Sequence, residues 1–233
     1  MGDDEALLDV VTSANVACGF HAGDPVTMAR TCRAAAARGV VVGAHPSYPD
    51  LVGFGRRRME LSAEELTASV VYQLGALDAC CRAADARLAY VKPHGALYHE
   101  VSSNAAAARA FVLGVVVLRP LAVLGPAGSE LLLAAAEQGL QTAAEVFADR
   151  GYRPDGTLVP RGEAGAIVDD IDAVAERVVR MVTAGTVRAV DGTDVPVVAD
   201  SICLHSDTPG AIALARRVRE ELQGAGVELG SFA

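Results

Sequence analysis

Four of the five histidines follow apolar, strand-like runs: His21 after ACGF, His45 after VVVGA, His94 after YVKP and His205 after SICL. Imidazole is the side chain whose ordinary pKa lies nearest neutrality, so a set of them at strand ends is suited to moving protons or holding a metal. Parallel α/β folds bind their ligands at the carboxyl ends of the strands, and equivalent positions there face one mouth. The spacing therefore predicts that His21, His45, His94 and His205 open onto a common pocket.

Each histidine brings polar neighbours. In His21-Ala-Gly-Asp24-Pro25 the carboxylate can orient the imidazole, join it on a metal, or cap the helix that Pro25 begins. Lys92-Pro-His94-Gly95 sets a lysine at an apolar strand end, where it can hold an anionic group while the imidazole moves a proton. His205-Ser-Asp207-Thr208-Pro209-Gly210 repeats the order of the first motif, with Asp207 as a support for His205 and Thr208 as a helix cap. The loop Gly53-Phe-Gly-Arg56-Arg-Arg58 can bind carboxylate or phosphate, its alternative being a solvated arginine patch. No GxxxxGK[ST] run is present, so nucleotide phosphates, if bound, are not held by a Walker loop.

The elements that must position these groups alternate. Strands are predicted at residues 14–18, 40–44, 88–92, 121–124, 143–147 and 201–204. Helices are predicted from Asp24-Pro25 to Arg38, from the Ser62/Glu65 capping box to about Ala84, from Ser103-Asn104 onward, from Ser129, over residues 170–184, and from Thr208-Pro209 to about Gln223. Two short runs flanking Asp191-Gly192 read as a hairpin. Residues 149–165, rich in glycine, proline and charge, read as a binding loop or lid. Six core strands, nearly all followed by a helix, indicate a βα barrel or a strongly curved open sheet in one domain spanning residues 1–233.

Composition narrows the function. A chain of 233 residues, 52% hydrophobic and 21% charged, can bury a full core, and its net charge of -9 without a basic stripe argues against nucleic acid or an anionic membrane as partner. The N-terminus has neither a basic n-region nor an apolar h-region, and the most hydrophobic stretch, 111–118, stops at Arg119-Pro120, so a cytoplasmic protein is expected. The five cysteines lack metal-type spacing and are expected to be buried free thiols.

Five blocks, SANVACGFHAGDP, GAHPSYPDLVGFGRR, VKPHGALYH, EVFADRGYRPDGTLVPR and ICLHSDTPGA, occur in the order in which they stand in the LamB/YcsF family, and the chain resembles that family over nearly its whole length. The resemblance implies a seven-stranded βα barrel of the glycoside hydrolase/deacetylase type. It also implies a 5-oxoprolinase activity: ATP-dependent opening of the lactam 5-oxoproline to glutamate, with ATP as co-substrate and with two further subunits, B and C. On this basis His94 or His45 handles protons, while Lys92 with Arg56 or Arg150 neutralises negative charge. Glu145, in the same block as Arg150, joins the substrate- or phosphate-binding set, and His21 with Asp24 and His205 with Asp207 complete the site. A divalent metal is compatible with these residue types and is not specified by them.

The family pattern usually opens with an acidic strand, Asp-Leu-Asn-x-Asp-x-Gly-Glu, that this sequence does not contain ahead of residue 14, so the first strand of the barrel is expected to be missing. A further difference is Ser206, where the family commonly has glycine. The missing strand leaves two other readings: an inactive fragment or scaffold that keeps a partner-binding surface, and a metal-dependent deacetylase-like hydrolase using an acid and two histidines.

Overall fold

The computed structural model describes residues 4–206 and 210–233. The chain divides into two compact units, one formed by Thr12–Ala143 with Ala233, the other by the residues before Thr12 together with Ala144–Phe232. A short helix, α1 (Asp4–Leu7), belongs to the second of these.

In the larger unit strands and helices alternate as β1 (Ser13–Ala17), α2 (Pro25–Ala37), β2 (Val41–His45), α3 (Ala63–Ala83), β3 (Leu88–Val91), α4 (Gly95–Ser103), α5 (Ala105–Leu118), β4 (Ala122–Gly125) and α6 (Glu130–Glu137). The four strands are parallel and bonded in sequence order, with Asn15 beside Gly43, Gly43 beside Tyr90 and Tyr90 beside Ala122. β3 and β4 are buried at every residue, as expected of parallel strands covered on both faces. One aromatic crosses this sheet. The Tyr90 hydroxyl donates to Asn15 Oδ1 at 2.9 Å, and its ring lies over Gly43, where an added Cβ would sit 2.1 Å from a ring carbon.

The helix starts follow local chemistry. Asp24 accepts from the Val26 and Thr27 amides, Ser62 and Glu65 form a reciprocal box, and Asn104 and Ser129 cap α5 and α6. Helix α4, like the four-residue α1, is absent from the sequence reading. Its N-cap, His94, makes no side-chain cap bond, so the polar start signal is absent. Its first turn is held from outside, by the Gly55 carbonyl accepting from the Ala96 amide at 2.9 Å.

The second unit takes most of β5 (Thr142–Phe147), then α7 (Ile171–Thr183), the antiparallel hairpin β6 (Thr186–Arg188) and β7 (Asp194–Pro196), β8 (Ser201–Cys203) and α8 (Ala211–Gly224). β5 and β8 pair in parallel through Glu145–Ser201, Val146–Ile202 and Phe147–Cys203. Ala148, Val174, Val178, Leu214 and Val218 form one core beneath α7 and α8, and Val146, Tyr152, Met181, Val187 and Val195 form another beside the hairpin. The expected cap at Thr208-Pro209 lies outside the described residues.

The expected α/β class is observed. Among the described residues six strands run parallel, β1 to β4 in one unit and β5 with β8 in the other, as the sequence reading counts them. The seventh strand of the family pattern is not among the described residues, where α1 precedes β1. No single helix among the described residues is long and apolar enough to cross a membrane.

Candidate active site

Three of the four strand-end histidines meet in the larger unit. His21 leaves the loop after β1, His45 ends β2, and His94 stands between β3 and α4. The His21 and His94 rings stack with centroids 3.9 Å apart and planes 6° from parallel. His45 meets both edge-on, at 5.7 Å from His21 and 4.8 Å from His94.

Their ring nitrogens are tied to fixed partners. His21 Nδ1 lies 2.9 Å from Ser47 Oγ, whose own hydroxyl donates to the Tyr48 carbonyl at 2.8 Å. Ser47 Oγ therefore accepts from His21 Nδ1–H, leaving Nε2 with its lone pair. Gln73 of α3 holds Ser47 in place: its Oε1 accepts from the Ser47 amide at 2.9 Å and its Nε2 donates to the Ser47 carbonyl at 3.0 Å. Sequence reading passes over Ser47 and Gln73, although a glutamine on the apolar face of α3 is the available signal for a buried polar contact. His45 Nδ1 donates to the Lys92 carbonyl at 2.7 Å, and its Nε2 lies 3.1 Å from His94 Nδ1. His94 Nε2 in turn lies 2.9 Å from the Phe54 carbonyl.

Residues 50–57 fold over this group. Asp50 is buried, accepts from the Gly53 and Arg57 amides, and receives the Arg57 guanidinium, whose Nε stands 2.9 Å from Oδ1. That guanidinium holds the Asp50 carboxyl down at about 2. The Phe54 ring meets His21 and His94 edge-on at 5.4 and 5.3 Å, and the Arg56 guanidinium lies 5.0 Å from the Phe54 centroid. Phe54 and Gly55 are both left-handed, with φ of 54° and 67°. A Cβ on Gly55 would come within 3.0 Å of His21, His94 and Ser47, so only glycine lets the loop lie this close.

Electrostatics follow from burial and from the positive neighbours. Burial lowers the His21 pKa to about 3, with the charges of His94 and Arg56 acting in the same direction. Burial likewise takes His45 well below its ordinary value, assisted by His94, Lys92 and His21 and opposed by the hydrogen bond to the Lys92 carbonyl. Lys92 itself is buried, with Nζ 5.9 Å from the Tyr98 ring centroid. A buried ammonium beside imidazoles suits an anionic substrate group.

In the second unit His205 pairs with Asp149, its Nδ1 3.0 and 3.1 Å from the two carboxylate oxygens. Asp149 is buried at 1% exposure, while the His205 ring is partly open and lies parallel to Phe147 at 5.9 Å. The sequence reading assigns Asp207 to this supporting role; Asp207 lies outside the described residues, and the carboxylate seen on His205 is Asp149, 56 positions away. Only the fold brings these two together.

Asp24 does not touch His21 through a hydrogen bond: its two oxygens serve the Val26 and Thr27 amides and the Thr27 hydroxyl, so it is a helix cap and Ser47 is the partner of His21. Arg150 is buried and donates to the carbonyls of Ala166 and Val159, fastening its own loop from within. The 149–165 segment is tied down further by bridges between Arg150 and Ile167 and between Tyr152 and Leu158. Glu145 is buried on β5. Among the described residues no three His, Cys, Asp or Glu side chains stand together as a metal-ligand set.

A strand-end histidine cluster under a glycine loop, on parallel βα units, defines an α/β protein with a group of imidazoles of the kind suited to moving protons. The chain belongs to the LamB/YcsF family, whose model matches residues 1–233. It is 55% identical to the A subunit of 5-oxoprolinase from Mycolicibacterium gilvum (strain PYR-GCK) over 233 residues, covering 100% of this chain and 92% of that one. It is 57% identical to the A subunit of 5-oxoprolinase from Streptomyces coelicolor over 232 residues, covering 99% and 93%. The crystal structure of a lactam utilization protein from Thermus thermophilus superposes with a TM-score of 0.93 at 45% identity, over 100% of this chain and 93% of that one.

Proposed function

We propose that this chain is the A component of an ATP-hydrolysing 5-oxoprolinase, opening 5-oxo-L-proline to L-glutamate together with B and C subunits in the cytoplasm. The observation that carries this reading is the near end-to-end match, above half identity, to relatives named as the A subunit of that enzyme. The histidine cluster supports it chemically.

A lactam is a weak electrophile. Transfer of the γ-phosphoryl group of ATP to the lactam oxygen makes the ring carbon open to water, and loss of phosphate with cleavage of the C–N bond then gives the glutamate carboxylate and amine. The departing nitrogen needs a proton and the attacking water must lose one. His94 and His45 are suited to the first task, with Lys92 and Arg56 balancing carboxylate or phosphoryl charge. In the second unit the buried Asp149 carboxylate orients the His205 imidazole, whose other nitrogen is left as a base.

The test is reconstitution of the chain with B and C subunits and measurement of glutamate and phosphate formed from 5-oxoproline and ATP. Equal amounts of both products, dependent on all three components, are expected. Absence of glutamate with a folded chain and active partners overturns the reading.

A further inference from the structure

His45 and His94 lie in a row between two backbone carbonyls. Reading along it, the Lys92 carbonyl faces His45 Nδ1 at 2.7 Å, His45 Nε2 faces His94 Nδ1 at 3.1 Å, and His94 Nε2 faces the Phe54 carbonyl at 2.9 Å. A carbonyl oxygen only accepts, so each outer nitrogen must carry a hydrogen. The inner contact needs one hydrogen as well. Four ring nitrogens therefore hold three protons, where two neutral imidazoles supply two.

We propose that His45 and His94 act as one proton-sharing unit, in which a single extra proton on the inner N–H···N bond keeps His94 hydrogen-bonded to the Phe54 carbonyl, and loss of that proton releases this latch.

The arithmetic makes release directional. With two protons left, one of the three contacts must oppose lone pair to lone pair. The bond to Lys92 lies inside the sheet end, whereas the Phe54 carbonyl sits on the outer loop, so the outer contact is the one given up. His94 then keeps Nδ1–H toward His45 and presents a bare Nε2. In the three-proton form the charge resides on His94, because burial disfavours it on His45.

Within this unit the groups facing the pair are His21, stacked on His94; Arg56 over Phe54; Lys92 at the end of β3; the Asp50–Arg57 ion pair; and the N-terminal turn of α4, which begins at His94. His21, Arg56, Lys92 and the helix end all work against an added positive charge. The two carbonyls work for it, and so would an arriving anion. In the lactam reaction, on which the use of the proton but not its existence rests, the unit supplies one proton to the departing nitrogen and is left as a base.

The test is ring-nitrogen NMR of the full chain labelled with ¹⁵N-histidine, from pH 5 to 8, with His45→Asn and His94→Gln for assignment. The expected result is a three-proton form at the acid end, with both His94 nitrogens protonated. Both rings should then move at one common midpoint, and in uniformly ¹⁵N-labelled chain the Gly55 amide should shift at the same pH. In His45→Asn the His94 midpoint should drop by at least about one unit, since the acceptor on its Nδ1 is gone. Separate midpoints for the two rings, or neutral single-proton rings at every pH in this range, overturn the proposal, and the native chain alone decides it should a variant not fold. No turnover is involved, so a failed reconstitution leaves this result intact.

Discussion

His205 and Asp149 form an imidazole–carboxylate pair in which the acid is almost wholly buried and the base partly open, with Nδ1 3.0 Å from Oδ1. A buried carboxylate that accepts from Nδ1–H fixes the ring tautomer and leaves Nε2 as the reacting nitrogen. Asp149→Asn keeps the shape and removes the charge. In the reconstituted system it should lower kcat about 10- to 100-fold with little change in KM for 5-oxoproline. An unchanged kcat in a folded variant would show the pair to be structural only.

His94→Ala and Lys92→Ala address the cluster of the larger unit. Loss of a general acid or base typically costs about a hundredfold or more, and His94→Ala should show this in kcat. Lys92→Ala should appear mainly as a raised KM, because an ammonium that neutralises an anion acts already on the bound substrate. Near-normal glutamate formation by either variant would remove that residue from the site.

Stability should fall with acid from an identifiable source. The His21 pKa is lowered from the ordinary 6.5 to about 3 by burial. A depressed histidine binds its proton less readily folded than unfolded, so stability is fully present above about 6.5 and declines as pH falls from there toward 3. Urea midpoints should therefore decrease between pH 6.5 and 4, and His21→Gln should flatten that decrease. Identical slopes for the two proteins would contradict the assignment.

The sheet beneath the cluster is sensitive to a single methyl group. Gly43→Ala drives its Cβ into the Tyr90 ring and should destabilise the chain by about 1–3 kcal/mol. Tyr90→Phe removes the hydroxyl that bonds Asn15 and should cost about 1 kcal/mol. Denaturant melts of both, with the double variant, check whether the two effects add. Neighbours that share a contact should not be additive.

Much of this was legible because alternation and capping are local. The six parallel strands, Asp24 with Pro25, and the Ser62–Glu65 box declare themselves within a few residues. So does the placement of His21, His45 and His94, since equivalent ends of neighbouring parallel strands share a side of the sheet. What stayed hidden depends on distance in the chain. Helix α4 has no capping side chain and is started by a carbonyl 41 residues earlier, from Gly55 to Ala96. Asp149 finds His205 across 56 residues, and Ser47 reaches Gln73 across 26, pairings that no spacing rule encodes. Asp24 is the converse case: its signal as a helix cap is local and complete, and its oxygens serve the Val26 and Thr27 amides and the Thr27 hydroxyl.

The close fit of Gly55 also governs how the site can be uncovered. Its amide donates to the Asp50 carbonyl at 2.8 Å and its carbonyl accepts from Ala96, while a Cβ on Gly95 would sit 2.4 Å from that same oxygen. The loop is thus fastened at both shoulders, by Asp50 with Arg57 on one side and by the start of α4 on the other, and cannot swing away as a flap. The Phe54 carbonyl is thereby held over His94 by contacts on both sides of it, so the cover of the cluster is as firmly placed as the strand ends beneath.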